Sequence, residues 1–223
     1  LRQGALEGIM LEAVAAAAGL PAAPVRRAAS FAGGVAPVAR AVLAGGAAAL
    51  AQFTVQLLRP VLPMLAQPAE DVSSAMAQLG RALLEWKLDG ARVQVHRSGD
   101  DIRVFTRSLN EVTAAVPEVV EAVRSADSRA LVLDGEAIAL RQDGRPHPFQ
   151  VTMRRFGRRL DVEALRAELP LSVFFFDCLL VDGEPAMDRP ARERRALLEQ
   201  RLPAQILTPA LTTDRVEEAQ AFY

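Results

Sequence analysis

The chain has 223 residues, 51% of them hydrophobic and 24% charged, which is a globular composition and excludes a disordered or fibrous protein. Its formal net charge of −1 means that bulk charge does not indicate a nucleic-acid-binding protein, although local basic clusters still can. The single cysteine, Cys178, cannot form an intrachain disulfide, and with the two histidines, His96 and His147, it offers no spacing for a zinc site. Any metal would therefore be bound by oxygen ligands, and a reducing cytoplasm is the expected compartment.

The longest weakly polar run, residues 33–50, is interrupted by Pro37 and Arg40, so we expect no membrane span. The chain starts at Leu1, without an initiator methionine and without the pattern of a secretory leader. We therefore expect it to be a piece of a longer protein.

The first 52 residues predict helices and no strand. Apolar residues recur at helical spacing from residue 6 to residue 14, and Gly19 and Pro21 end that helix. Further helices are predicted over 25–32 and 35–43, separated by two glycines. Residues 1–52 are thus predicted to belong to an all-α domain, and the proline-containing stretch 53–70 to be a connector.

From residue 71 onward the pattern predicts an α/β (α+β) domain with largely antiparallel sheets, so the chain as a whole is expected to be multi-domain. The predicted strands cover 83–89, 91–97, 102–107, 130–141 and 171–182. The predicted helices cover 71–79, 117–125, 162–169, 189–201 and 215–223. A Ser-Gly-Asp-Asp sequence between the second and third strands indicates a hairpin.

Lysine occurs only once in this chain. Lysine and arginine together number 26, and because Lys87 is the only lysine, 26 minus 1 leaves 25 arginines. A coding bias toward arginine explains the other positions, since arginine serves as well on solvated faces. Arginine stays protonated and cannot act as a nucleophile, whereas a lysine amine can. Lys87 is therefore a candidate nucleophile, with chance survival as the alternative.

The residues around Lys87 alternate between apolar and charged side chains. A strand over this segment would bury Trp86 with its apolar neighbours and present Glu85, Lys87 and Asp89 on one face. That face either lines a cleft or is open to water, and the alternation alone does not choose between the two.

Four motifs in a fixed order carry a family resemblance. Lys87-Leu88-Asp89-Gly90-Ala91-Arg92 resembles the K-x-D-G-x-R signature of the covalent nucleotidyltransferases, which include DNA ligases, RNA ligases and mRNA capping enzymes. Three further blocks follow in the order that this family shows: Thr106-Arg107-Ser108, Leu133-Asp134-Gly135-Glu136 and Phe174-Phe175-Phe176-Asp177.

The resemblance implies a reaction that begins at Lys87. The amine would attack the α-phosphate of ATP, release pyrophosphate and form lysyl-AMP. The AMP would then pass to the 5′-phosphate of a nick in double-stranded DNA, and the 3′-hydroxyl would seal the strand. A divalent cation, Mg²⁺, is expected to neutralise the phosphates.

The resemblance also assigns roles to five other residues. It assigns Glu85 to the adenine amino group, Arg92 to the ribose or phosphate side, and Arg107 to the AMP phosphate or the nick phosphate. It assigns Glu136 to the ribose hydroxyl and the metal, and Phe176 to the face of the adenine. The alternatives are solvated strand residues, a salt bridge for Glu136 to one of the arginines, and core packing for the phenylalanines.

Residues 59–66 resemble the proline-containing strand that leads into the adenylation domain of DNA ligases. Leu1-Arg2-Gln3-Gly4 and the Ala-rich helix after it resemble the later part of their helical DNA-binding domain. We therefore expect an ATP-dependent DNA ligase: residues 1–52 from the DNA-binding domain, 53–70 as connector, and 71–223 as the adenylation domain.

Such a protein would use ATP and Mg²⁺, bind nicked double-stranded DNA, and act as a monomer in DNA repair, replication or recombination. It would work in a bacterial-type cytoplasm, associated with the nucleoid and not with a membrane. Two alternatives stay open: an RNA ligase or other covalent nucleotidyltransferase, and a noncatalytic nucleic-acid-binding module.

Two further expectations concern phosphates and completeness. The basic cluster of Arg154, Arg155, Arg158 and Arg159 either contacts phosphates or is a solvated helix end. The family's pattern continues with a Glu-Gly strand block, a later lysine and an OB-fold domain, none of which occurs within the 223 residues. We therefore expect this stretch alone to be inactive.

Overall fold

The computed structural model describes residues 6–64, 66–157 and 161–223. The chain divides into two compact units, Leu1–Met64 and Leu65–Tyr223. This division falls inside the connector predicted over 53–70, and the assignment of separate functions to the parts before and after it stays a prediction. Leu1-Arg2-Gln3-Gly4 and Leu65 lie outside the described residues, as do Arg158 and Arg159 of the basic cluster.

The first unit is helical. It contains α1 (Leu6–Ala17), α2 (Ala22–Ala32) and α3 (Val35–Gly45), followed by a 3₁₀ helix (Gly46–Gln52). Gly33 ends α2 with φ 73°, a left-handed conformation that glycine adopts without steric cost. Small and aliphatic side chains from all three α-helices form the core of this unit: Leu11, Val14, Ala15, Val25, Ala28, Ala29, Val38 and Val42.

Residues 53–64, which the sequence predicts to be part of an extended, partly packed connector, belong to the first compact unit. Val55 and Val61 are buried, and the Leu62 amide donates to the Ser30 carbonyl at 3.0 Å. The prolines of this stretch prevent a helix, yet its aliphatic side chains still pack.

By length and composition alone, Val35–Gln52 would suffice to cross a membrane, with a mean hydropathy of 1.3. The segment is not one α-helix, because Gly46 has φ 62° and ψ −153° and interrupts it. Val38 and Val42 pack into the core of the first unit, with 0% and 2% of their surface exposed. Part of the apolar surface of this segment is therefore buried in the helical core. The absence of a membrane span stays an expectation.

The second unit is built on two antiparallel sheets. Its strands are β1 (Ala82–Glu85), β2 (Ala91–Ser98), β3 (Asp101–Thr106), β4 (Ala130–Ala139), β5 (Leu171–Val181), β6 (Glu184–Pro185) and β7 (Ala210–Thr213). Five of them form one sheet in the order β3-β2-β4-β5-β6, and β1 pairs with β7 in a second sheet. Every pairing between these strands is antiparallel, which confirms the predicted α/β class with antiparallel sheets.

Six α-helices accompany these sheets in the described part of the unit: α4 (Val72–Leu79), α5 (Pro117–Arg124), α6 (Phe149–Phe156), α7 (Val162–Glu168), α8 (Ala191–Arg201) and α9 (Val216–Phe222). Asp71 caps α4 by accepting a hydrogen bond from the Ser74 amide at 2.7 Å. Pro117 opens α5 at the first helical position, where its missing amide hydrogen has no cost. Helix α6 and the short strands β6 and β7 are not among the predicted elements.

The two faces of the five-stranded sheet differ in character. Val93 and Val95 of β2 belong to the main hydrophobic core, together with alternate residues of β3, β4 and β5. Arg92, Gln94 and His96 occupy the intervening positions of β2 and therefore point to the opposite face. This polar face carries the candidate site.

The strand predicted over 83–89 is shorter than expected. Strand β1 ends at Glu85, and Trp86, which the alternation predicts to be buried, is 55% exposed. The Leu88 amide donates to the Trp86 carbonyl at 3.2 Å, a bond between residues two apart that makes a tight turn. Because the chain turns here, side chains after Glu85 no longer alternate between two faces.

Candidate active site

Three neighbouring strands bring motif residues into one row across the five-stranded sheet. Arg92 on β2 lies opposite Glu136 on β4, and Glu136 lies opposite Phe174 on β5. Directly opposed residues of an antiparallel pair point to the same face, so these three side chains share the polar face. The register of β2, β4 and β5 thus assembles residues that lie far apart in the sequence.

Gly90, between Lys87 and β2, packs directly against β4. Its amide donates to Glu136 Oε1 at 3.1 Å. A β-carbon at this position would lie 2.5 Å from the Ala137 carbonyl oxygen, a distance that real β-carbons essentially never show. The close approach therefore requires glycine, and it fixes the turn that carries Lys87 beside the Glu136 carboxylate.

Lys87 lies in this turn with an exposed side chain, and its Nζ donates to the Leu88 carbonyl at 3.2 Å. Burial raises the pKa of Glu136 above its ordinary value, and the positive charge of Lys87 is the strongest influence opposing that rise. Gly90, three residues after Lys87, bonds this carboxylate, so the turn that carries Lys87 lies against Glu136. The amine is open to a ligand, as a nucleophile must be.

Arg92 is held by an ion pair with a deeply buried carboxylate. Its Nη2 lies 2.7 Å from Asp134 Oδ2, and 7% of the Asp134 side chain is exposed. Gln94 Nε2 donates to the other carboxylate oxygen at 3.2 Å, and Gln94 in turn bonds the buried ring of His96 at 3.0 Å. These polar side chains beneath Arg92 fix its direction over the polar face.

Phe176 reaches the same face through an irregularity in β5. Asp134 pairs with Asp177 whereas Gly135 pairs with Phe175, so Phe176 is the extra residue of a β-bulge. Bulges redirect side chains, and here the Phe176 ring lies 5.5 Å from the Arg92 guanidinium carbon. Phe175 is buried in the core, in agreement with the alternative of core packing.

Glu85 ends β1, on the two-stranded sheet, and its carboxylate is close to helix α8. Glu85 Oε1 lies 3.5 Å from Arg195 Nη1, and 27% of the Glu85 side chain is exposed. Burial raises the pKa of Glu85, and the Arg195 charge opposes the rise.

Arg107 follows β3 in an exposed turn, next to the β2–β3 register in which Thr106 pairs with Val93. Within the described residues, no hydrogen bond or ion pair holds its side chain. It lies at the end of the strand adjacent to that of Arg92, but its contact with the other predicted site residues stays a prediction.

The basic cluster is largely structural where the structure describes it. Arg155 has 1% of its side chain exposed and pairs with Glu118 of α5 at 2.6 Å, while its guanidinium also donates to the Leu169 and Ala115 carbonyls. Arg154 is exposed and pairs with Glu168 at 3.1 Å. A phosphate-contacting role for Arg155 is therefore wrong, because the guanidinium is buried and its donors are used.

The donor set suits a magnesium ion bound mainly by a ligand's phosphates. No group of three or more His, Cys, Asp or Glu side chains within residues 6–64, 66–157 and 161–223 could enclose a metal. Mg²⁺ is usually bound through one or two carboxylates together with phosphates and water. Glu136, partly exposed beside Lys87, fits that pattern as a single carboxylate ligand.

Sequence reasoning missed three residues of this neighbourhood: Gln94, Arg194 and Arg195. Gln94 could have been found, because it lies two positions after Arg92 on a strand and so shares its face. Arg194 pairs with Asp177 at 2.6 Å and Arg195 approaches Glu85. No local pattern distinguishes these two arginines from the other arginines of the chain.

Comparison with known proteins shows which family the chain resembles. Residues 63–223 match a family model described as an ATP dependent DNA ligase domain. A probable DNA ligase of Anaeromyxobacter dehalogenans (strain 2CP-C) is 61% identical over 223 residues, which are 100% of this chain and 44% of that protein. A probable DNA ligase of Sorangium cellulosum (strain So ce56) is 56% identical over 223 residues, covering 100% and 42%.

Solved structures of similar proteins include a mycobacterial DNA ligase D complexed with ATP and MES, with 26% identity and a TM-score of 0.47. That match covers 64% of this chain and 44% of the other. An ATP-dependent DNA ligase from bacteriophage T7 in complex with ATP is 13% identical, with a TM-score of 0.39, covering 73% and 58%.

The fold and the site define an antiparallel α/β protein whose polar sheet face carries carboxylates, arginines and an aromatic ring, with a lysine in the turn that precedes β2. The family match, which extends from residue 63 to residue 223, then covers well over half of the chain. The chain belongs to the ATP-dependent DNA ligase domain family. It spans less than half the length of the curated relatives, 44% in the case of the Anaeromyxobacter dehalogenans protein.

Proposed function

We propose that the protein is an ATP-dependent DNA ligase in which Lys87 takes AMP from ATP. The observation that carries this proposal is the lysine itself: the only lysine of the chain lies exposed in a turn, beside the half-buried Glu136 carboxylate. After losing its proton, the Lys87 amine forms a bond to the α-phosphorus of ATP as the bond to pyrophosphate breaks. The AMP is then transferred to a 5′-phosphate, and the adjoining 3′-hydroxyl displaces it.

The remaining site residues would bind and orient the nucleotide. Glu85 would accept a hydrogen bond from the adenine amino group, and Phe176 would contact the adenine face. Arg92, held by Asp134, would contact the ribose or a phosphate. Arg107 would contact the AMP phosphate or the phosphate at the nick, for which its exposure in the turn after β3 is suitable.

Glu136 would bind the ribose hydroxyl and one Mg²⁺ together with the phosphates of ATP. The ion supplies neutralisation of the negative charge on the phosphates. The proximity of Lys87 supports this role for Glu136, because a carboxylate at this position would lie close to the phosphate that the lysine attacks.

The helical first unit would belong to a DNA-binding domain, with residues 71–223 forming the adenylation domain. The expected partner is nicked double-stranded DNA, bound by a monomer in a bacterial-type cytoplasm and not at a membrane. The names of the curated relatives, probable DNA ligases, support the substrate. Repair, replication and recombination all generate such nicks.

A nick-sealing assay tests this function. The protein is prepared at the length of its relatives and given ATP, Mg²⁺ and a labelled duplex with one nick, whose strands are DNA or RNA. We expect sealing of the DNA nick and its loss in Lys87→Arg, which keeps the positive charge but cannot be a nucleophile. Preferred sealing of RNA nicks would identify an RNA ligase, and binding without sealing would identify a noncatalytic module.

A further inference from the structure

The Glu85 carboxylate combines burial with an unused acceptor. Its Oε1 is fully buried, and none of the described residues donates a hydrogen bond to that oxygen. The side chain as a whole nevertheless keeps 27% of its surface exposed, so a ligand can contact Glu85 without reaching Oε1. A buried charged oxygen without a hydrogen bond is costly, and nearby positive charge must compensate for it.

Arg195 supplies that charge without using the acceptor. Its side chain is 12% exposed, and its Nη1 lies 3.5 Å from Glu85 Oε1, within ion-pair distance but without hydrogen-bond geometry. The guanidinium is fixed elsewhere: Nη1 donates to the Thr208 carbonyl at 2.9 Å, and Nε donates to Glu199 Oε1 at 2.7 Å. The charge is therefore held beside the buried Oε1, and the exposed part of the Glu85 side chain stays open to a ligand.

The segment that fixes Arg195 also joins the two sheets of the second unit. The Thr208 amide donates to the Phe175 carbonyl of β5 at 2.9 Å, and the Pro209 carbonyl accepts from the Trp86 amide at 3.2 Å. Arg195, through Thr208, is thus tied to the strand that carries Phe176 and to the residue that follows Glu85. These hydrogen bonds therefore couple the position of Arg195 to those of Phe176 and Glu85, the two residues proposed to contact the adenine.

Three charged groups face Glu85 from the elements around it. Arg195 and Arg194 from α8 favour the ionised carboxylate, and Asp177 from β5 disfavours it. Arg194 lies 2.6 Å from Asp177 and so largely compensates that negative charge. Burial raises the pKa of Glu85, and among its neighbours Arg195 opposes this rise most strongly.

We propose that Arg195 is a positioning residue that keeps Glu85 ionised and directed at the nucleobase, and that it thereby sets the preference for ATP over GTP. This inference rests on the proposed function. An ionised carboxylate only accepts hydrogen bonds, whereas a protonated one can donate. Adenine presents an amino group where guanine presents a carbonyl oxygen, so the ionised form accepts from adenine and repels guanine.

The test measures formation of the lysyl-nucleotide adduct with ATP or GTP, using the protein at the length of its relatives. In Arg195→Gln we expect the apparent KM for ATP to rise roughly tenfold or more, as for the loss of a hydrogen bond to a charged group, with a smaller change in kcat. The ratio of ATP use to GTP use should fall, and the KM for ATP should improve again as the pH rises and Glu85 ionises. Arg195→Lys should retain most of the preference because it keeps the charge.

Arg201→Met is the matched control, because it removes an arginine from the same helix whose ion pair is with Asp182 at 2.7 Å. Its KM and its nucleotide preference should equal those of the unsubstituted protein. Thermal unfolding of all variants separates loss of folding from loss of nucleotide selection. If Arg195→Gln is poorly folded, the KM for ATP and the ATP-to-GTP ratio are compared between Arg195→Lys and Arg195→Met at a lower temperature. The variant that keeps the charge should retain the preference for ATP, and the variant that loses it should not.

Equal KM values and equal ATP-to-GTP ratios in the unsubstituted protein and in Arg195→Gln would overturn the inference while leaving the proposed function intact. Equal losses in Arg195→Gln and Arg195→Lys would also overturn it, since shape rather than charge would then matter. The absence of any adduct on the unsubstituted protein would overturn the proposed function and this inference together.

Discussion

The buried ion pair between Arg155 and Glu118 gives a sharp prediction about stability. The Arg155 guanidinium donates to both carboxylate oxygens of Glu118, at 2.6 and 2.9 Å, and to the Leu169 carbonyl at 2.6 Å. Glu118 also accepts from the Leu171 amide at 3.1 Å. Replacing Arg155 by Met keeps an apolar chain of similar length, but it leaves the carboxylate without its positive partner and the Leu169 carbonyl without the Arg155 donor.

We expect Arg155→Met to destabilise the second unit by about 3–5 kcal/mol, the usual effect of removing one partner of a buried pair. For a unit of this size that corresponds to a fall of roughly 6–20 °C in the melting temperature. Thermal and urea unfolding, followed by circular dichroism, measure the loss. The double variant with Glu118→Gln should recover part of it, since no buried charge is then left unpaired.

Arg154→Met is the control, because the neighbouring Arg154 pairs with Glu168 on the surface, where the two side chains are 52% and 61% exposed. We expect it to change stability by less than about 1 kcal/mol. If Arg155→Met lost no more stability than Arg154→Met, the reasoning would be refuted. Such a result would mean that the Arg155 side chain reaches solvent and does not link α6 to α5.

Three further predictions follow from individual contacts. Gly90→Ala should destabilise the protein by about 1–3 kcal/mol, because the new methyl group would lie 2.5 Å from the Ala137 carbonyl oxygen. Unfolding in urea measures this loss of stability. Gly8→Ala is the control, because a β-carbon there meets nothing within 4 Å, whereas Gly144 has a φ of +79° that would itself strain alanine. Burial raises the pKa of Glu118, but the hydrogen bonds from Arg155 and from backbone amides, together with the Arg155 charge, outweigh burial and hold this pKa below the ordinary 4.5. The stability from this pair should be fully present above pH 4.5 and be lost as the pH falls through the folded-state pKa, and Glu118→Gln should flatten that part of the stability curve. Burial, with Asp177 beside it, raises the pKa of Cys178 to about 12, so a thiol reagent should label this cysteine only after unfolding, and rapid labelling of the native protein would contradict its burial.

The chemistry of the site is more predictable from the sequence than its geometry. Lys87, Arg92 and Glu136 can be proposed from the sequence because a nucleophile, a phosphate ligand and a metal ligand require particular side chains, and their motifs are local; these roles stay predictions. The register that brings Arg92 opposite Glu136 depends on pairing between β2 and β4, which the motifs do not encode. The bulge that turns Phe176 toward Arg92 likewise has no signal in three consecutive phenylalanines.

The errors have physical causes that are outside a local pattern. The strand over 83–89 was predicted too long because alternation continues through Trp86, while the chain turns after Glu85. The basic cluster predicts a surface position for Arg155, whereas the guanidinium is buried against Glu118, a partner from another helix. No local pattern distinguishes Arg195 from the other 24 of the 25 arginines, since the role proposed for it depends on the position of α8 next to Glu85.

The most direct test of the central claim is the intact mass of the protein, at the length of its relatives, after incubation with ATP and Mg²⁺. We predict a gain of one AMP, resistant to mild base and released by acid as expected of a phosphoramidate, with no gain in Lys87→Arg or Lys87→Ala. Circular dichroism should show that both variants are folded, because the Lys87 side chain is exposed. No AMP on the unsubstituted protein, or AMP retained in both variants, would contradict the assignment of Lys87 as the nucleophile.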